Sequence, residues 1–315
     1  MKCLFCYKEL DEAQVDFHPA CSRKLFGTSA PPDLLYTEEQ MLELGTQIIK
    51  SHVAVTGVQP KLSLDIETGK GSKEHKTPPL FTIVGLWGGY ILKPPTPQYP
   101  QLPELEDLTM HLAALAGIAT VPHSLIRMKS GNLAYITKRI DRQRGQKLHM
   151  EDMCQLTERL TEDKYRGSYE QIGKAILKYS ANPGIDLVNF MEHVIFSFLT
   201  GNADMHLKNF SLIQQGNVFV LAPAYDMVAS ALVVQGDEEE LALNLNGKKR
   251  KLNKNDFDKA FAGLELIGAK AIENVYKKFE KAVAKWYDFI PKSFVSDEMK
   301  ERYIALINER VGKLF

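Results

Sequence analysis

Apolar residues recur at helical spacing through the second half of the chain, and this pattern predicts a mainly helical region there. A capping box of Ser168 and Gln171 predicts a helix that runs to about Ser180. Asp186 is expected to cap the next helix, which is apolar around nearly its whole circumference and ends at Gly201. Because such a helix must be buried on all sides, we expect it at the centre of this region. Three more helices are predicted at about 254–263, 269–288 and 296–313.

The first half shows short apolar runs between turn residues, which predict strands. Residues 80–84 and 90–93 are read as the two strands of a hairpin across Gly88-Gly89. The leucines of residues 105–115 predict one helix that ends at Gly117. The stretch 69–73 is expected to be an exposed loop. The predicted strands are residues 53–58, 61–66, 80–84, 90–93 and 135–140.

Two hairpins are predicted inside the helical half. Residues 210–213 and 218–221 flank a Gly216 turn, and residues 241–245 lead into Asn246-Gly247. Together these patterns predict a two-lobed α+β fold with a mixed first lobe and a mainly helical second lobe. The predicted boundaries are a cysteine-rich leader at 1–27, a first lobe at 28–141 and a second lobe at 142–315.

Composition narrows the class of protein. The 39 Lys and Arg residues equal the 39 Asp and Glu residues, so the zero net charge argues against a dedicated nucleic-acid binder. Hydrophobic residues at 44% and charged residues at 25% are ordinary for a globular protein. We find neither the apolar core of a signal peptide nor a membrane-spanning run, so a cytoplasmic protein without a membrane partner is expected.

The leader carries four residues of the kind that bind zinc. Cys3 and Cys6 form one closely spaced pair, and His18 and Cys21 form a second. Two such pairs provide the ligands of a tetrahedral structural zinc ion, which can hold together a short segment that lacks a core of its own. The alternative is that these cysteines are free thiols in a reducing compartment.

The stretch that follows the central apolar helix carries the clearest chemistry. Asp204 and Asn209 are separated by four residues, and the next predicted hairpin leads to Asp226. Phosphoryl transfer by a protein kinase needs these parts in this order: an aspartate that accepts the hydroxyl proton, an asparagine that binds Mg²⁺, and a second metal-binding aspartate. Taken alone, an Asp-x4-Asn pattern is more often a solvated loop.

Other parts of a kinase occur upstream in the expected order. Lys93 ends a predicted strand, Glu106 lies at the start of the next helix, and residues 56–61 form a turn between strands. Each of these features is weak by itself, since a lysine at a strand end is often exposed and Gly57 is the only glycine of its turn. Their conjunction and order indicate an ATP-dependent kinase.

Five segments resemble the signature segments of the HipA family, which comprises bacterial serine/threonine protein kinases that act as toxins of toxin–antitoxin systems. The resemblance extends over roughly residues 50–310. The segments that carry it are residues 55–61, 136–142, 149–155, 201–209 and 221–226.

The resemblance implies a kinase-like fold with Asp204 as catalytic base, Asn209 and Asp226 as Mg²⁺ ligands, and Glu106 paired with Lys93. His206 is left with two interpretations, a direct ATP contact or a core histidine that braces the loop. The other residues that the resemblance places at ATP are Thr56, Gly57, Val58, Gln59, Pro60, Lys61, Lys93, Lys138, Arg139, Ile140 and Tyr225, besides Asn209 and Asp226.

The resemblance also implies partners. It suggests a translation component, such as an aminoacyl-tRNA synthetase, as substrate, and a DNA-binding antitoxin. Because about 50 residues precede the predicted phosphate loop, the chain resembles short HipT-type kinases, for which a separate small protein replaces an N-terminal subdomain. Residue 54 is alanine, so Thr56 and, further away, Ser51 are the nearest hydroxyls for self-phosphorylation. The alternatives are a non-catalytic pseudokinase and a small-molecule kinase on the same fold.

Overall fold

The computed structural model describes residues 1–41, 43–44, 61–67, 79–84, 88–143, 145–234, 236 and 238–315. The chain forms two compact units. The first comprises Met1–Asp107 and Val121–Ile140, and the second comprises Leu108–Thr120 and Asp141–Phe315. Three predictions lie outside the described residues: the strand at 53–58, the loop at 69–73, and the phosphate-loop residues Thr56, Gly57, Val58, Gln59 and Pro60.

The first unit is built on one antiparallel sheet of five strands in the order β2-β1-β3-β5-β4. The strands are β1 (Leu62–Glu67), β2 (Leu80–Ile83), β3 (Tyr90–Lys93), β4 (His123–Arg127) and β5 (Leu133–Lys138). Helix α1 (Pro19–Phe26) lies in the leader and ends at Gly27, which adopts a φ of 82°. Helix α2 (Leu102–Leu115) contributes its first residues, up to Asp107, to this unit.

The predicted hairpin between residues 80–84 and 90–93 is wrong, because β1 lies between the two strands. Leu64 pairs with Ile83 on one side and with Tyr90 on the other. The Leu64 side chain in β1 is fully buried. β5 begins two residues before the predicted strand and ends at Lys138, and the sequence pattern missed β4, which pairs with β5 along its whole length.

The second unit is mainly helical and includes a small antiparallel sheet in the order β10-β9-β8. Its longer helices are close to those predicted. Its strands are β6 (Arg142–Gln143), β7 (Gln146–Lys147), β8 (Met150–Asp152), β9 (Ser211–Gln215) and β10 (Val218–Leu221). Its helices are α3 (Met153–Leu156), α4 (Tyr169–Tyr179), α5 (Pro183–Thr200), α6 (Lys254–Ala262), α7 (Ala269–Phe289) and α8 (Asp297–Leu314).

Helix α5 is the centre of the second unit, as its all-round apolar pattern predicted. Phe196 packs edge-on against Trp286, and Phe198 packs against Phe257. Aromatic side chains of this size supply much of the apolar burial that stabilises a domain. The prediction that Asp186 caps the helix is wrong: α5 begins at Pro183, and the buried Asp186 carboxylate instead accepts hydrogen bonds from other elements.

The capping box at the start of α4 and the β9–β10 hairpin are confirmed. The second predicted hairpin is only half right. Leu245 and Lys248 exchange two backbone hydrogen bonds across Asn246-Gly247, but residues 241–245 form no strand. This segment is held by other contacts, such as the backbone N–H of Asn246 with Glu170. No helix within the described ranges is long and apolar enough to cross a membrane.

Candidate active site

The loop that carries Asp204 begins where α5 ends. Gly201 terminates the helix with a φ of 69°, and a Cβ atom there would lie 2.4 Å from Leu306 Cδ2, so the turn favours glycine on both counts. Asn202 is fully buried, and its Oδ1 accepts a hydrogen bond of 3.2 Å from the Asp204 backbone. This fixed turn directs Asp204 from a buried helix toward the surface.

Asp204 is exposed and accepts a hydrogen bond from a hydroxyl group. The donor is Tyr165, whose phenol oxygen lies 2.5 Å from Asp204 Oδ1. The segment that carries Tyr165 is tied to the same loop, since Lys164 O accepts a 3.2 Å bond from the Leu207 backbone. Asp204 therefore already receives a hydroxyl in the way that a general base for hydroxyl activation must.

Asn209 and Asp226 meet as the sequence predicted. Asn209 Nδ2 donates a 3.0 Å hydrogen bond to Asp226 Oδ2, while Asn209 Oδ1 accepts a 3.2 Å bond from the His206 backbone. Asp226 has a φ of 60°, a left-handed conformation that is uncommon for a residue with a side chain and that often occurs at functional sites. Their carboxylate and amide oxygens are hard donors of the kind Mg²⁺ prefers.

Two further side chains brace this loop. Lys208 Nζ forms a 2.7 Å ion pair with Asp152, which also caps α3. The Tyr225 hydroxyl donates a 3.0 Å bond to Lys208 O and lies 2.5 Å from Ser211 Oγ. Tyr225, predicted to contact ATP, thus has its hydroxyl engaged in holding the loop.

His206 is buried beneath the edge of Tyr165, with ring centroids 5.0 Å apart. Burial lowers the pKa of its imidazole to about 4, so the ring is neutral near pH 7. Its Nδ1 has no hydrogen-bond partner among the residues described. Both sequence interpretations fit this position: the ring packs inside the loop, and one ring nitrogen is left for another partner.

The first unit holds the predicted lysine–glutamate pair. Lys93, at the end of β3, lies 2.5 Å from Glu106 Oε1, and both side chains are almost completely buried. The Lys93 ammonium also lies 5.4 Å from the centre of the Tyr135 ring. A buried charge pair persists only when each group compensates the other, so Glu106 fixes the position of the Lys93 ammonium.

The remaining predicted ATP residues of the first unit lie at strand ends. Lys61 immediately precedes β1. Lys138 is the last residue of β5, and its side chain is exposed, while Arg139 and Ile140 follow the strand and are half-buried. The Arg139 backbone donates a 2.8 Å bond to Gly89 O, which fixes the chain just beyond β5.

The four predicted zinc ligands come together in the leader. The ligand atoms of Cys3, Cys6, His18 and Cys21 all lie within 4.8 Å of one another. His18 Nδ1 is 3.5 Å from Cys6 Sγ and 3.8 Å from Cys21 Sγ. Around a tetrahedral zinc ion with Zn–S bonds of about 2.3 Å, neighbouring ligands are about 3.8 Å apart, so the cluster has the size that zinc requires.

The surroundings of the cluster also suit a metal. His18 Nε2 lies 3.0 Å from Glu9 O, and donation to this carbonyl leaves Nδ1 as the nitrogen that faces the cysteines. Burial raises the pKa of the Cys3 thiol, but hydrogen bonds from the backbones of His18, Cys6 and Phe5 lower it overall. The residues therefore fit a zinc ion in both geometry and donor chemistry.

Several residues of this site escaped the sequence analysis. Tyr165 lies 39 positions from Asp204, and no local pattern connects them. Asp152 belongs to a segment that resembled the HipA family, but its ion pair with Lys208 was not foreseen. Such contacts join segments far apart in sequence, and only the folded chain shows them.

Comparison with known proteins identifies the family of this chain. The HipA-like C-terminal domain family matches residues 53–286, well over half of the chain. A provisionally named kinase of Sinorhizobium fredii, Y4dM, is 30% identical over 277 residues, which cover 82% of this chain and 64% of the relative. A provisionally named kinase of Haemophilus influenzae is 32% identical over 63% of this chain and 58% of its own length. The chain thus spans less than two thirds of the length of these relatives.

Two solved structures show the same fold. HipA of Shewanella oneidensis was solved with HipB and operator DNA. The match covers 90% of this chain and 73% of the HipA chain, with a TM-score of 0.65 and 20% identity. The Helicobacter pylori proinflammatory kinase CtkA matches 71% of this chain and 86% of its own with a TM-score of 0.52 and 18% identity. The predicted α+β, kinase-like fold is therefore confirmed, and the chain belongs to the HipA-like C-terminal domain family.

Proposed function

We propose that this chain is an ATP- and Mg²⁺-dependent protein kinase of the HipA type that phosphorylates serine or threonine. The observation that carries the proposal is the group in the second unit, where Asp204 accepts a hydrogen bond from a hydroxyl and Asn209 contacts Asp226 at 3.0 Å. A solvated loop would not need a hydroxyl acceptor, a pair of oxygen donors and a left-handed aspartate within one short stretch.

The chemistry assigns a role to each group. Asp204 takes the proton of the substrate hydroxyl while the hydroxyl oxygen forms a bond to the γ-phosphorus of ATP. The bond between that phosphorus and the β,γ-bridging oxygen breaks, and ADP is released. Asn209 and Asp226 would hold Mg²⁺, which offsets phosphate charge when bound. Lys93, fixed by Glu106, supplies positive charge for the phosphates.

His206 can contribute to nucleotide binding in its neutral form. Its buried Nδ1 lacks a partner in the described part of the chain, and buried polar atoms are nearly always satisfied. This observation favours the interpretation in which a bound nucleotide or its water shell completes the contact. Roles for residues 56–61, including self-phosphorylation at Thr56, and for Lys138, Arg139 and Ile140 along the adenine stay predictions.

Partners are also part of the proposal. HipA of Shewanella oneidensis was solved as a complex with HipB and operator DNA, and by analogy we propose a DNA-binding antitoxin for this chain. A component of translation, such as an aminoacyl-tRNA synthetase, is the proposed substrate. The separate small protein suggested by the family resemblance stays a prediction.

We propose one structural zinc ion in the leader, bound by the cluster of Cys3, Cys6, His18 and Cys21. All four positions of a tetrahedral ion would be filled by protein, so its role is to stabilise the leader. Elemental analysis of the untagged protein should give about one zinc per chain, and the Cys3→Ser/Cys6→Ser variant should contain none. Zinc that survives this double substitution would remove the cluster as its site.

The experiment that tests the kinase proposal uses labelled ATP. The purified protein and its Asp204→Ala variant are incubated with a bacterial lysate, and labelled proteins are identified. We expect labelled serine or threonine with the wild type only. Label found only in small molecules would favour the small-molecule kinase. If the protein binds nucleotide but no product of any kind is labelled, the result would favour the pseudokinase.

A further inference from the structure

The leader contacts the helix that carries Glu106. The Tyr7 hydroxyl donates a 2.8 Å hydrogen bond to Asp107 Oδ2, and His123 Nδ1 lies 2.7 Å from Asp107 Oδ1. Asp107 is fully buried and directly follows Glu106 in the first half of α2. A buried carboxylate with both oxygens bonded is held firmly, so Tyr7 and His123 fix this turn of the helix.

Tyr7 is itself fixed by the proposed zinc knuckle, which is the part of the leader that carries Cys3, Cys6, His18 and Cys21. It directly follows Cys6, its backbone N–H donates a 2.9 Å bond to Cys3 O, and its φ is 62°. This left-handed conformation is strained for a bulky residue and persists only when the surroundings impose it. The turn between the two metal-binding cysteines therefore directs the Tyr7 hydroxyl at Asp107.

The leader also contacts the strand that carries Lys93. The Tyr90 hydroxyl in β3 donates a 3.0 Å bond to Leu25 O at the end of α1, and Phe26 packs on the Tyr90 ring at 6.0 Å between centroids. Cys21, a predicted zinc ligand, lies in the first turns of this same helix. The two halves of the knuckle thus reach the two elements that carry Lys93 and Glu106.

A third contact closes the network around the lysine. The His123 ring stacks on Tyr135 at 6.0 Å between centroids, and the Lys93 ammonium lies 5.4 Å from the Tyr135 ring centre. His123 therefore connects Asp107 with the ring beside Lys93. All of these groups belong to the first unit.

We infer that the zinc-loaded leader is a positioning element for the Lys93–Glu106 pair, and that Tyr7, through Asp107, is its main contact with the active site. The inference rests on the proposed kinase function and on the proposed zinc. A segment of 27 residues is too short to form a core of its own, so the metal would hold the turn between Cys3 and Cys6 in shape. Loss of zinc would then release Tyr7 and loosen the turn that holds Glu106.

The test compares two variants that each remove one contact between the leader and the rest of the first unit. Tyr7→Phe removes the hydroxyl that reaches Asp107 and keeps the ring and all four zinc ligands. Asp16→Asn is the matched control, because Asp16 holds the leader through a bidentate pair with Arg127 of β4, at 2.7 and 2.9 Å, rather than through α2. Zinc content, kcat and KM for ATP are measured for both variants and the wild type.

We expect all three proteins to hold zinc, and kcat to fall by about ten-fold in Tyr7→Phe alone, with a smaller change in KM, because a displaced ammonium hinders transfer more than binding. Equal kcat values in Tyr7→Phe and wild type, or an equal loss in both variants, would overturn the inference. Such a result would leave Tyr7 as a packing residue of the leader.

A second readout does not depend on activity. Hydrogen exchange of the α2 amides up to Asp107 should accelerate when a chelator removes zinc, whereas exchange in α5 of the second unit should stay unchanged. If the wild type transfers no phosphate, the proposed function fails, and the exchange comparison still decides the coupling. Unchanged exchange in α2 after complete loss of zinc would overturn it.

Discussion

Replacing Asp204 with asparagine separates the proposed base from the fold around it. Asparagine has the same shape, and its Oδ1 can still accept the hydrogen bond that Tyr165 donates over 2.5 Å. It cannot take a proton at neutral pH. We therefore expect Asp204→Asn to fold like the wild type and to lose phosphoryl transfer.

The structure predicts a small effect of Asp204→Asn on stability and a large effect on kcat. Asp204 is exposed, so its side chain contributes little to packing, and the hydrogen bond from Tyr165 to the carboxylate is worth at most about 3 kcal/mol of unfolding free energy, part of which asparagine retains. Removal of a general base typically lowers kcat by about 10²–10⁴-fold. A large loss of activity with an almost unchanged stability is thus the expected signature.

The assay measures initial rates of phosphorylation at saturating ATP, together with the urea midpoint of each protein. Tyr165→Phe serves as the control, because it removes the hydrogen bond that Asp204→Asn retains and leaves the carboxylate intact. It should lose at least as much stability as Asp204→Asn and keep phosphoryl transfer. Since the phenol no longer competes for Asp204, KM for the protein substrate should fall by up to about five-fold, the equivalent of roughly 1 kcal/mol.

Two results would refute this reasoning. If Asp204→Asn retains kcat within a few-fold of the wild type, Asp204 is not the base. If Tyr165→Phe loses as much activity as Asp204→Asn, the Tyr165 hydroxyl is itself needed for the reaction, and the loss in Asp204→Asn no longer identifies the carboxylate as the base.

Three further predictions concern the metal ligands, the end of α5 and a buried histidine. Asp226→Asn should weaken Mg²⁺-ATP binding by about ten-fold or more without a comparable effect on ATP alone, because it removes the charge of a proposed metal ligand. Calorimetric titrations with and without Mg²⁺ decide this, and an equal effect in both would remove Asp226 from the proposed metal site. Gly201→Ala should lower the free energy of unfolding by more than Gly216→Ala does. Both glycines have positive φ (69° and 59°), but of the two only Gly201 has another side chain where a Cβ atom would lie. Equal urea midpoints for the two variants would contradict this prediction. Burial lowers the pKa of His193 from 6.5 to about 4, so between these pH values the unfolded chain binds a proton that the folded chain does not, and the free energy of unfolding should fall as the pH drops from 6.5 to 4. His193→Phe should flatten the pH dependence of the urea midpoint. An unchanged slope would show that His193 does not cause this pH dependence.

Local patterns were sufficient for the helices and for the chemistry that lies within short segments. The central place of helix α5 follows from the apolar residues that cover its whole surface, and the α4 capping box is a four-residue feature. Asn209 lies three residues after the backbone group that it bonds, and the two pairs of zinc-type ligands are each closely spaced. In such cases a few neighbouring residues contain the information that determines the structure.

Pairing between distant segments was decided only by the tertiary structure. The apolar runs at β2 and β3 fit a hairpin, but the fold places β1 between them, where Leu64 pairs with Ile83 and Tyr90 and is fully buried. Asp186 has the residue type of a cap, yet its carboxylate satisfies the backbone of Leu221. A strand or a polar side chain can have several partners of equal local quality, and the choice depends on which arrangement buries the most apolar surface with its polar groups satisfied.

The same distinction applies to the active site. The sequence by itself determined the order of Lys93, Glu106, Asp204, Asn209 and Asp226, because the chemistry of phosphoryl transfer restricts the residue types and their spacing. Only the folded chain brought a tyrosine hydroxyl to Asp204 and connected the leader to the helix of Glu106. No periodic pattern in the sequence predicts either contact. Each contact joins two segments of one unit that become neighbours only when the core of that unit has formed.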